Sequence, residues 1–210
     1  MARSADRTVA ARPAVASRAT GSAAGGSGEI LARLLSSIFL TGLLAGCLYI
    51  GWPLFHLLIF GAAGLLAWEW AGLCGRGRVS RGGYALIAVC LAVVGLASFA
   101  MSIEASLVMI LGAPATALAV RPERVSDALW MGAGVFYVGG AAWAAIALFD
   151  MYRDGAWAVA WIFWVVALTD IGAFLTGRAV GGSRLAPQLS PQKTWSGFFG
   201  GLAFLSLIHI

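Results

Sequence analysis

Apolar residues along this chain are gathered into long runs, which short polar segments separate. Each run approaches the roughly 17 to 25 residues that a helix needs to cross a lipid bilayer. The runs cover residues 34–50, 53–73, 84–101, 105–120, 128–149 and 156–175, and a seventh begins at Phe198. The fourth run is short, so we expect that its helix either includes Ile103 and Glu104 or crosses the membrane with little tilt. The pattern therefore predicts an all-α polytopic transmembrane helical bundle, with six spans plus the start of a seventh.

Composition supports a membrane protein and excludes an ordinary soluble domain. Hydrophobic residues make up 60% of the 210 residues and charged residues 11%, against roughly 45 to 50% and about 25% in soluble domains. The mean hydropathy is +0.88. Cys47, Cys74 and Cys90 lie in or beside apolar runs, without the spacing of a zinc site or a disulfide framework. We interpret them as small buried hydrophobic residues.

The positions of the charged residues predict how the chain is oriented. The 14 basic residues outnumber the 9 acidic ones, and basic residues of membrane proteins collect in cytoplasmic loops. With a cytoplasmic N-terminus, every basic residue except Arg153 falls on the cytoplasmic side of the six predicted spans. We therefore attribute the positive charge to topology and to contact with the lipid bilayer, and we expect no nucleic acid partner.

Residues 1–28 differ from the rest of the chain, because they consist mainly of Ala, Arg, Ser and Gly and include no aromatic residue. Such a segment buries too little apolar surface to offset the entropy lost on ordering. We predict a disordered cytoplasmic tail here. Its Arg-rich, acid-poor composition would also suit an organelle transit peptide.

Two acidic residues inside predicted spans are candidates for function, because ionisable groups are costly within a membrane. Glu69 lies between Trp68 and Trp70, about a turn from the predicted cytoplasmic end of the second span. Asp170 lies near the cytoplasmic end of the sixth span. Their equal depth predicts that both face one site open to cytoplasmic solutes. For Glu69 the alternative is an interfacial acid held by a neighbouring Arg or a helix terminus.

The segment 177–201 combines the groups that hold phosphates, namely cations, hydroxyls and exposed backbone amides. The spacing GxxxxGK[ST] of a Walker loop is absent. The alternative is an ordinary solvated loop on the basic side of the membrane. The groups in question are Arg178, Arg184, Lys193, Gly181, Gly182, Ser183, Ser190 and Thr194.

Other features predict helix packing. Glycines at a four-residue spacing let helices approach closely in lipid, and this spacing occurs at Gly42/Gly46 and at Gly197/Gly201. His56, a lone histidine in the outer half of the second span, is interpreted as an interhelical hydrogen-bonding residue in preference to a ligand.

Several of these residues stand in an order that resembles the phosphatidate cytidylyltransferase (CDP-diacylglycerol synthase) family. The resemblance rests on residues 169–174 (TDIGAF), 177–178 (GR), 181–182 (GG), 185–187 (LAP) and 190–197 (SPQKTWSG), and upstream on 68–73 (WEWAGL). It covers most of residues 30–204. The ordered combination of motifs is specific, whereas each motif alone is weak.

The resemblance implies transfer of a cytidylyl group from CTP to phosphatidic acid, which gives CDP-diacylglycerol and pyrophosphate with a divalent metal, usually Mg²⁺. It implies that Asp170 is catalytic as a metal ligand. Lys193, with Ser190 and Thr194, would bind the triphosphate or the developing pyrophosphate, whereas Arg178 and Arg184 would bind substrate phosphates. Glu69 would support the site. The resemblance also implies a bacterial inner membrane location with a cytoplasmic active site, and a homodimer.

The chain departs from the family pattern in two places. Ser196 stands where the family usually has Glu. The C-terminal signature of the family, Lys-Asp followed by His-Gly-Gly and Asp-Arg-x-Asp, is absent, and its acidic residues supply further metal ligands. Residues 205–210 (LSLIHI) match the in-frame translation of a common sequencing-library transposon adaptor. We therefore expect an incomplete domain at residues 29–204, a non-native tail at 205–210 with no role for His209, and no activity from the 210 residues alone.

Alternatives of other kinds stay open. A related CTP-dependent enzyme would act on an isoprenoid lipid, and apolar residues do not distinguish the two lipids. A small membrane transporter would show internal repeats with polar groups near the bilayer midplane, whereas both membrane acids here lie toward one face. A purely structural scaffold leaves the cation-rich hydroxyl segment unexplained.

Overall fold

The computed structural model describes residues 26–119, 125–151, 153–188 and 190–208. It confirms an all-α polytopic protein, because a helix forms on each predicted run. The helices are α1 (Gly26–Ile50), α2 (Leu54–Cys74), α3 (Arg81–Ser98), α4 (Ser102–Ala119), α5 (Val125–Gly134), α6 (Gly140–Met151), α7 (Gly155–Val180) and α8 (Trp195–Ile208). Of the tail predicted to be disordered at residues 1–28, residues 26–28 belong to α1, and residues 1–25 lie outside the described residues, as does His209.

Five helical segments are long and apolar enough to cross a membrane. They are α2, α3, α4, α7 and the segment Ser126–Met151, whereas the described apolar parts of the first and last helices, Leu35–Ile50 and Trp195–Leu207, are shorter. Helix α4 includes Ile103 and Glu104, which was one of the two alternatives for the short fourth run. Length and composition therefore identify an integral membrane protein.

Local sequence explains where α2 ends and α3 begins. Past Cys74, the amide of Gly75 donates to the carbonyl of Ala71 (2.9 Å) and that of Gly77 to the carbonyl of Gly72 (2.8 Å). Gly77 has φ +91°, which disfavours residues with a side chain. Helix α3 then starts behind Ser80, whose Oγ accepts a hydrogen bond from the amide of Gly83 (3.2 Å).

The fifth span contains a π-helical turn at Val135–Gly139, between α5 and α6, which the apolar pattern did not predict. Such a turn inserts an extra residue and rotates the following helix. It ends at two glycines that lie against neighbouring helices: a Cβ on Gly139 would be 3.6 Å from Cys90 Sγ, and one on Gly140 would be 3.5 Å from Met109 Sδ. The turn therefore lies where α3 and α4 pack closely on this span.

Small and β-branched side chains form the core among α2 to α6. Cys90 is in this core, Cys47 is also buried, and Cys74 is half-buried; all three thiols are free. These positions agree with the interpretation of the cysteines as small hydrophobic residues. Small side chains let the helix backbones approach in lipid. The largest fully buried side chains in this core are Leu86, Met131, Ile146, Val93, Val94 and Val135.

His56 confirms the prediction of an interhelical hydrogen bond. Its Nε2 atom lies 3.0 Å from Oδ2 of Asp150 at the end of α6. The imidazole is 4% exposed and the carboxylate 43%. Phe55 stacks on Phe149 beside the pair, with ring centroids 4.4 Å apart. This cluster joins the start of α2 to the end of the fifth span.

Helices α7 and α8 form a closely packed pair, and α7 also packs on α6. Gly197 and Gly201 lie at the interface, because a Cβ on either would come within 3.2 Å of Ala173 atoms on α7. The predicted packing role of these glycines is confirmed. The same prediction is wrong within this chain for Gly42 and Gly46, since no described atom lies within 4 Å of a Cβ built on either.

Candidate functional site

Asp170 is exposed on α7, to one side of the surface that α8 covers. The residues that face α8 are Thr169, Gly172, Ala173, Thr176 and Gly177. Successive helical residues are rotated by about 100°, so Asp170 lies about a quarter turn from the centre of that surface. Within the described residues, no hydrogen bond or ion pair engages its carboxylate. The carboxylate is therefore available to a ligand.

Arg178 lies on the same side of α7 as Asp170, two turns further along. Phe174 is between them, because residues at i, i+4 and i+8 share one side of a helix. The guanidinium carbon of Arg178 is 5.9 Å from the centroid of the Phe174 ring, within range of a cation–π contact. At 1.5 Å per residue, the backbones of Asp170 and Arg178 are about 12 Å apart along the axis. One side of α7 thus presents a carboxylate and an oriented cation.

The donor set suits a metal ion that is shared with a substrate. Among the described residues, no group of three or more His, Cys, Asp or Glu side chains could hold a metal ion. Magnesium is commonly bound by one or two carboxylates together with substrate phosphates. Asp170 provides one uncommitted carboxylate of this kind. The residues present therefore fit a magnesium–nucleotide complex better than a cage built wholly from protein ligands.

A short antiparallel hairpin follows α7, although only a loop was expected there. Strand β1 (Arg184–Ala186) pairs with β2 (Ser190–Thr194), with Arg184 opposite Thr194 and Ala186 opposite Ser190. Cross-strand partners point to one face of a hairpin, and adjacent residues point to opposite faces. Arg184 therefore shares a face with Thr194, whereas the register shifts between the two pairs, so regular alternation does not extend to the exposed Lys193. The hairpin thus places Arg184 directly opposite Thr194, two residues that the sequence only assigned to the same segment.

The hydroxyl of Thr194 begins a chain of hydrogen bonds at the start of α8. Its Oγ1 accepts from the amide of Gly197 (3.2 Å) and lies 3.0 Å from Ser196 Oγ. Ser196 Oγ donates to the carbonyl of Gly181 (2.5 Å), and the amide of Trp195 donates to the carbonyl of Ser183 (3.1 Å). Thr194 is thus the N-cap of α8, a role that the sequence reasoning missed.

Glu69 is exposed on α2, and within the described part of the chain its carboxylate has no partner. No described arginine holds it; the alternative expectation was an acid held by a neighbouring Arg or by a helix terminus. Helix α2 packs mainly on α3, α5 and α6, whereas α7 packs on α8 and α6. The structure therefore shows no close packing between α2 and α7, and a site shared by Glu69 and Asp170 stays a prediction.

Trp70, the neighbour of Glu69, faces the protein. Its Nε1 donates to the backbone carbonyl of Trp130 (2.9 Å), and its ring stacks on Tyr137 with centroids 5.2 Å apart. A Cβ on Gly134 would be 2.6 Å from Trp70 Cδ1, so only glycine leaves room for the indole. The WEW motif thus anchors α2 to the fifth span. An open cavity of about 370 Å³ lies beside it, lined by Trp70, Leu73, Cys74, Arg76, Asp127 and Trp130.

Comparison with known proteins decides the family. The cytidylyltransferase family model matches residues 31–210, most of the chain. The chain belongs to the cytidylyltransferase family. The match includes α7, the hairpin and α8, and it confirms the resemblance read from their motifs. No solved structure matches this cytidylyltransferase chain.

Curated relatives of this cytidylyltransferase family member carry a more specific name. It is 46% identical over 74 residues to the phosphatidate cytidylyltransferase of Brucella suis, which covers 35% of the chain and 27% of that protein. It is 31% identical over 185 residues to the phosphatidate cytidylyltransferase of Pseudomonas aeruginosa, which covers 81% of the chain and 66% of that protein. The chain thus matches about a quarter of the first relative's length and about two thirds of the second's.

Proposed function

We propose that this protein transfers the cytidylyl group of CTP to phosphatidic acid and forms CDP-diacylglycerol. A phosphate oxygen of phosphatidic acid attacks the α-phosphorus of CTP, and the bond from that phosphorus to the oxygen bridging to the β-phosphate breaks. Pyrophosphate leaves. The similarity to proteins named phosphatidate cytidylyltransferase supports the substrates. The observation that carries the chemistry is the free Asp170 carboxylate on the same side of α7 as the Arg178 cation.

Asp170 would hold the metal ion in this proposal. When bound, magnesium would offset the negative charge of the nucleotide phosphates. The carboxylate meets the requirement that a metal ligand be uncommitted, because no neighbouring cation in the described chain neutralises it. Its place on a long regular helix fixes its direction without help from a loop.

The cations Arg178, Arg184 and Lys193 would bind the phosphates and orient them. Arg178 is oriented by the ring of Phe174, and a planar guanidinium can contact two phosphate oxygens at once. Arg184 on β1 and Lys193 on β2 are both exposed, and we assign both to substrate phosphate groups. The hydroxyl of Ser190 would donate to a phosphate oxygen. Positive charge at these positions would stabilise the charge that develops as pyrophosphate leaves.

We further propose a bacterial inner membrane location with the N-terminus and the site on the cytoplasmic side. The basic residues of the 75–80 turn and of the 178–193 segment support this orientation, since cytoplasmic loops are enriched in Lys and Arg. A site at that surface lets a soluble nucleotide meet a lipid head group that stays in the membrane.

The test is a direct assay of the protein made from its complete gene. Purified protein in mixed micelles is given CTP, Mg²⁺ and phosphatidic acid, and the lipid product is identified by mass spectrometry. We expect CDP-diacylglycerol and an equimolar amount of pyrophosphate. A parallel reaction with an isoprenoid lipid substrate tests the related enzyme class. A cytidylylated product from the isoprenoid lipid alone would contradict our choice of substrate.

A further inference from the structure

The hydrogen bonds around Thr194 have only one consistent arrangement of protons. Ser196 Oγ uses its proton in the bond to the carbonyl of Gly181, because a carbonyl can only accept. In the contact between the two hydroxyls, Ser196 must therefore accept and Thr194 must donate. Thr194 Oγ1 in turn accepts from the amide of Gly197. The chain of hydrogen bonds runs in one direction, from Gly197 through Thr194 and Ser196 to Gly181.

This arrangement leaves Thr194 without a proton for a substrate. Phosphate oxygens need donors, and the single hydroxyl proton of Thr194 is already given to Ser196. The side chain is also half-buried against α7, where a Cβ built on Gly177 would be 3.0 Å from Thr194 Oγ1. A direct contact between Thr194 and a triphosphate therefore conflicts with the geometry.

The same hydrogen bonds connect three parts of the candidate site. Gly181 ends α7, and its φ of +64° followed by +110° at Gly182 forms a turn that favours glycine. Ser196 ties this turn to the first residues of α8. Thr194 also ends β2, so its backbone sets the position of Lys193 immediately before it and of Arg184 opposite it. We call Thr194, Ser196 and Gly181 the hydroxyl clasp.

We propose that Thr194 and Ser196 are positioning residues that act through the hydroxyl clasp and do not contact the substrate. The clasp fixes Arg184 and Lys193, the cations of the hairpin, relative to α7. Helix α7 carries Asp170 and Arg178. This inference rests on the proposed function for its catalytic consequence, since the cations it positions are those assigned to the phosphates of CTP. It replaces the expectation that Thr194 is a phosphate ligand.

Three variants in the protein made from its complete gene test the proposal. Thr194→Val keeps the shape of the side chain and removes the hydroxyl. Ser196→Ala removes the hydrogen bond to Gly181, and Thr194→Ser retains all of the hydrogen bonds. Ser106→Ala is the matched control, because that hydroxyl donates to the carbonyl of Ser102 within α4 and joins no other element. Hydrogen exchange by mass spectrometry and steady-state kinetics are measured on all four.

The exchange experiment reports on the clasp without any activity. Loss of a helix N-cap commonly weakens protection of the first turn, so Thr194→Val should speed exchange of the Gly197 amide about fivefold. Thr194→Ser and Ser106→Ala should leave that amide unchanged. Equal exchange in Thr194→Val and the unmodified protein would overturn the clasp.

The kinetic experiment separates positioning from folding. Misplaced cations weaken nucleotide binding, so Thr194→Val and Ser196→Ala should raise the KM for CTP by about two- to tenfold, while Thr194→Ser restores it. A role in folding alone would lower the active fraction, and hence the apparent kcat, with KM unchanged; that result would refute the positioning role. A Thr194→Ser variant as poor as Thr194→Val would refute it too. If the unmodified protein gives no CTP-dependent product, the proposed function and the catalytic consequence both fail. Hydrogen exchange at the Gly197 amide would then still decide whether the hydroxyl clasp forms.

Discussion

The packing of α7 on α8 predicts a graded response to adding one methyl group at different glycines. A Cβ on Gly200 would overlap the side chain of Thr176, whose Oγ1 is held by a 2.7 Å hydrogen bond to the carbonyl of Gly172. A Cβ on Gly201 would meet Ala173 Cβ at 3.2 Å, which is tight without overlap. A Cβ on Gly42 would meet no described atom within 4 Å. The three positions therefore form a series from open to blocked.

The expected stabilities combine two effects. Replacing glycine by alanine inside a helix gains up to about 1 kcal/mol from helix propensity, and overpacking a well-packed contact costs about 1 to 3 kcal/mol. Gly42→Ala should be neutral or slightly stabilising. Gly201→Ala should lie close to neutral, because the gain and the strain are similar in size. Gly200→Ala should lose about 1 to 2 kcal/mol, since overlap with the fixed Thr176 side chain outweighs the gain.

Thermal unfolding of the purified variants in one detergent gives the Tm of each. Gly61→Ala on α2 is a second control, because no described atom lies within 4 Å of a Cβ built on Gly61 either. The order of Tm should be Gly42→Ala and Gly61→Ala highest, then Gly201→Ala, then Gly200→Ala. A Gly200→Ala protein as stable as Gly42→Ala would refute the packing of the two helices on which the site depends.

Two further predictions concern the α2 to α6 core. Trp70→Phe keeps an aromatic ring but loses the hydrogen bond to the Trp130 carbonyl, so it should destabilise the protein by about 0.5 to 1.5 kcal/mol. The measurement is a lower Tm, with Trp68→Phe as the exposed control. An unchanged Tm in Trp70→Phe would contradict this hydrogen bond. Cys74 is half-buried and lines an open cavity, whereas Cys47 and Cys90 are buried. A maleimide should therefore label Cys74 first when the folded protein is in micelles. An equal rate of labelling in Cys74→Ser and in the unmodified protein would contradict this burial pattern.

Spanning helices were predictable from the sequence, because a bilayer demands long apolar runs and helices that satisfy their own backbone hydrogen bonds. The π-helical turn at Val135–Gly139 was not, since its apolar residues fit either helix type and only its contacts with α3 and α4 distinguish them. The partner of His56 was equally hidden. Asp150 lies 94 residues away, so only tertiary structure brings the two together.

The composition of the candidate site was predictable, but its geometry was not. Clustered cations and hydroxyls identified the 177–201 segment, and Asp170 stood out as an acid within a span. Nothing in the sequence indicated a strand at Ser190–Thr194, which contains Pro191, so the pairing of Arg184 with Thr194 appeared only in the structure. The N-cap role of Thr194 depends on a helix start that was expected three residues later, at Phe198.

The most direct test of the account is the turnover of Asp170→Asn in the protein made from its complete gene, with CTP, phosphatidic acid and Mg²⁺. The substitution keeps the size of the side chain, removes the charge that a metal ligand needs, and replaces one acceptor oxygen by an NH2 group that cannot bind a metal ion. Glu104→Gln is the matched control, because Glu104 is another exposed acid in a spanning helix and lies outside the site. We predict that Asp170→Asn lowers kcat by more than about a hundredfold at an unchanged Tm, with Glu104→Gln near normal. Normal turnover by Asp170→Asn would contradict the account.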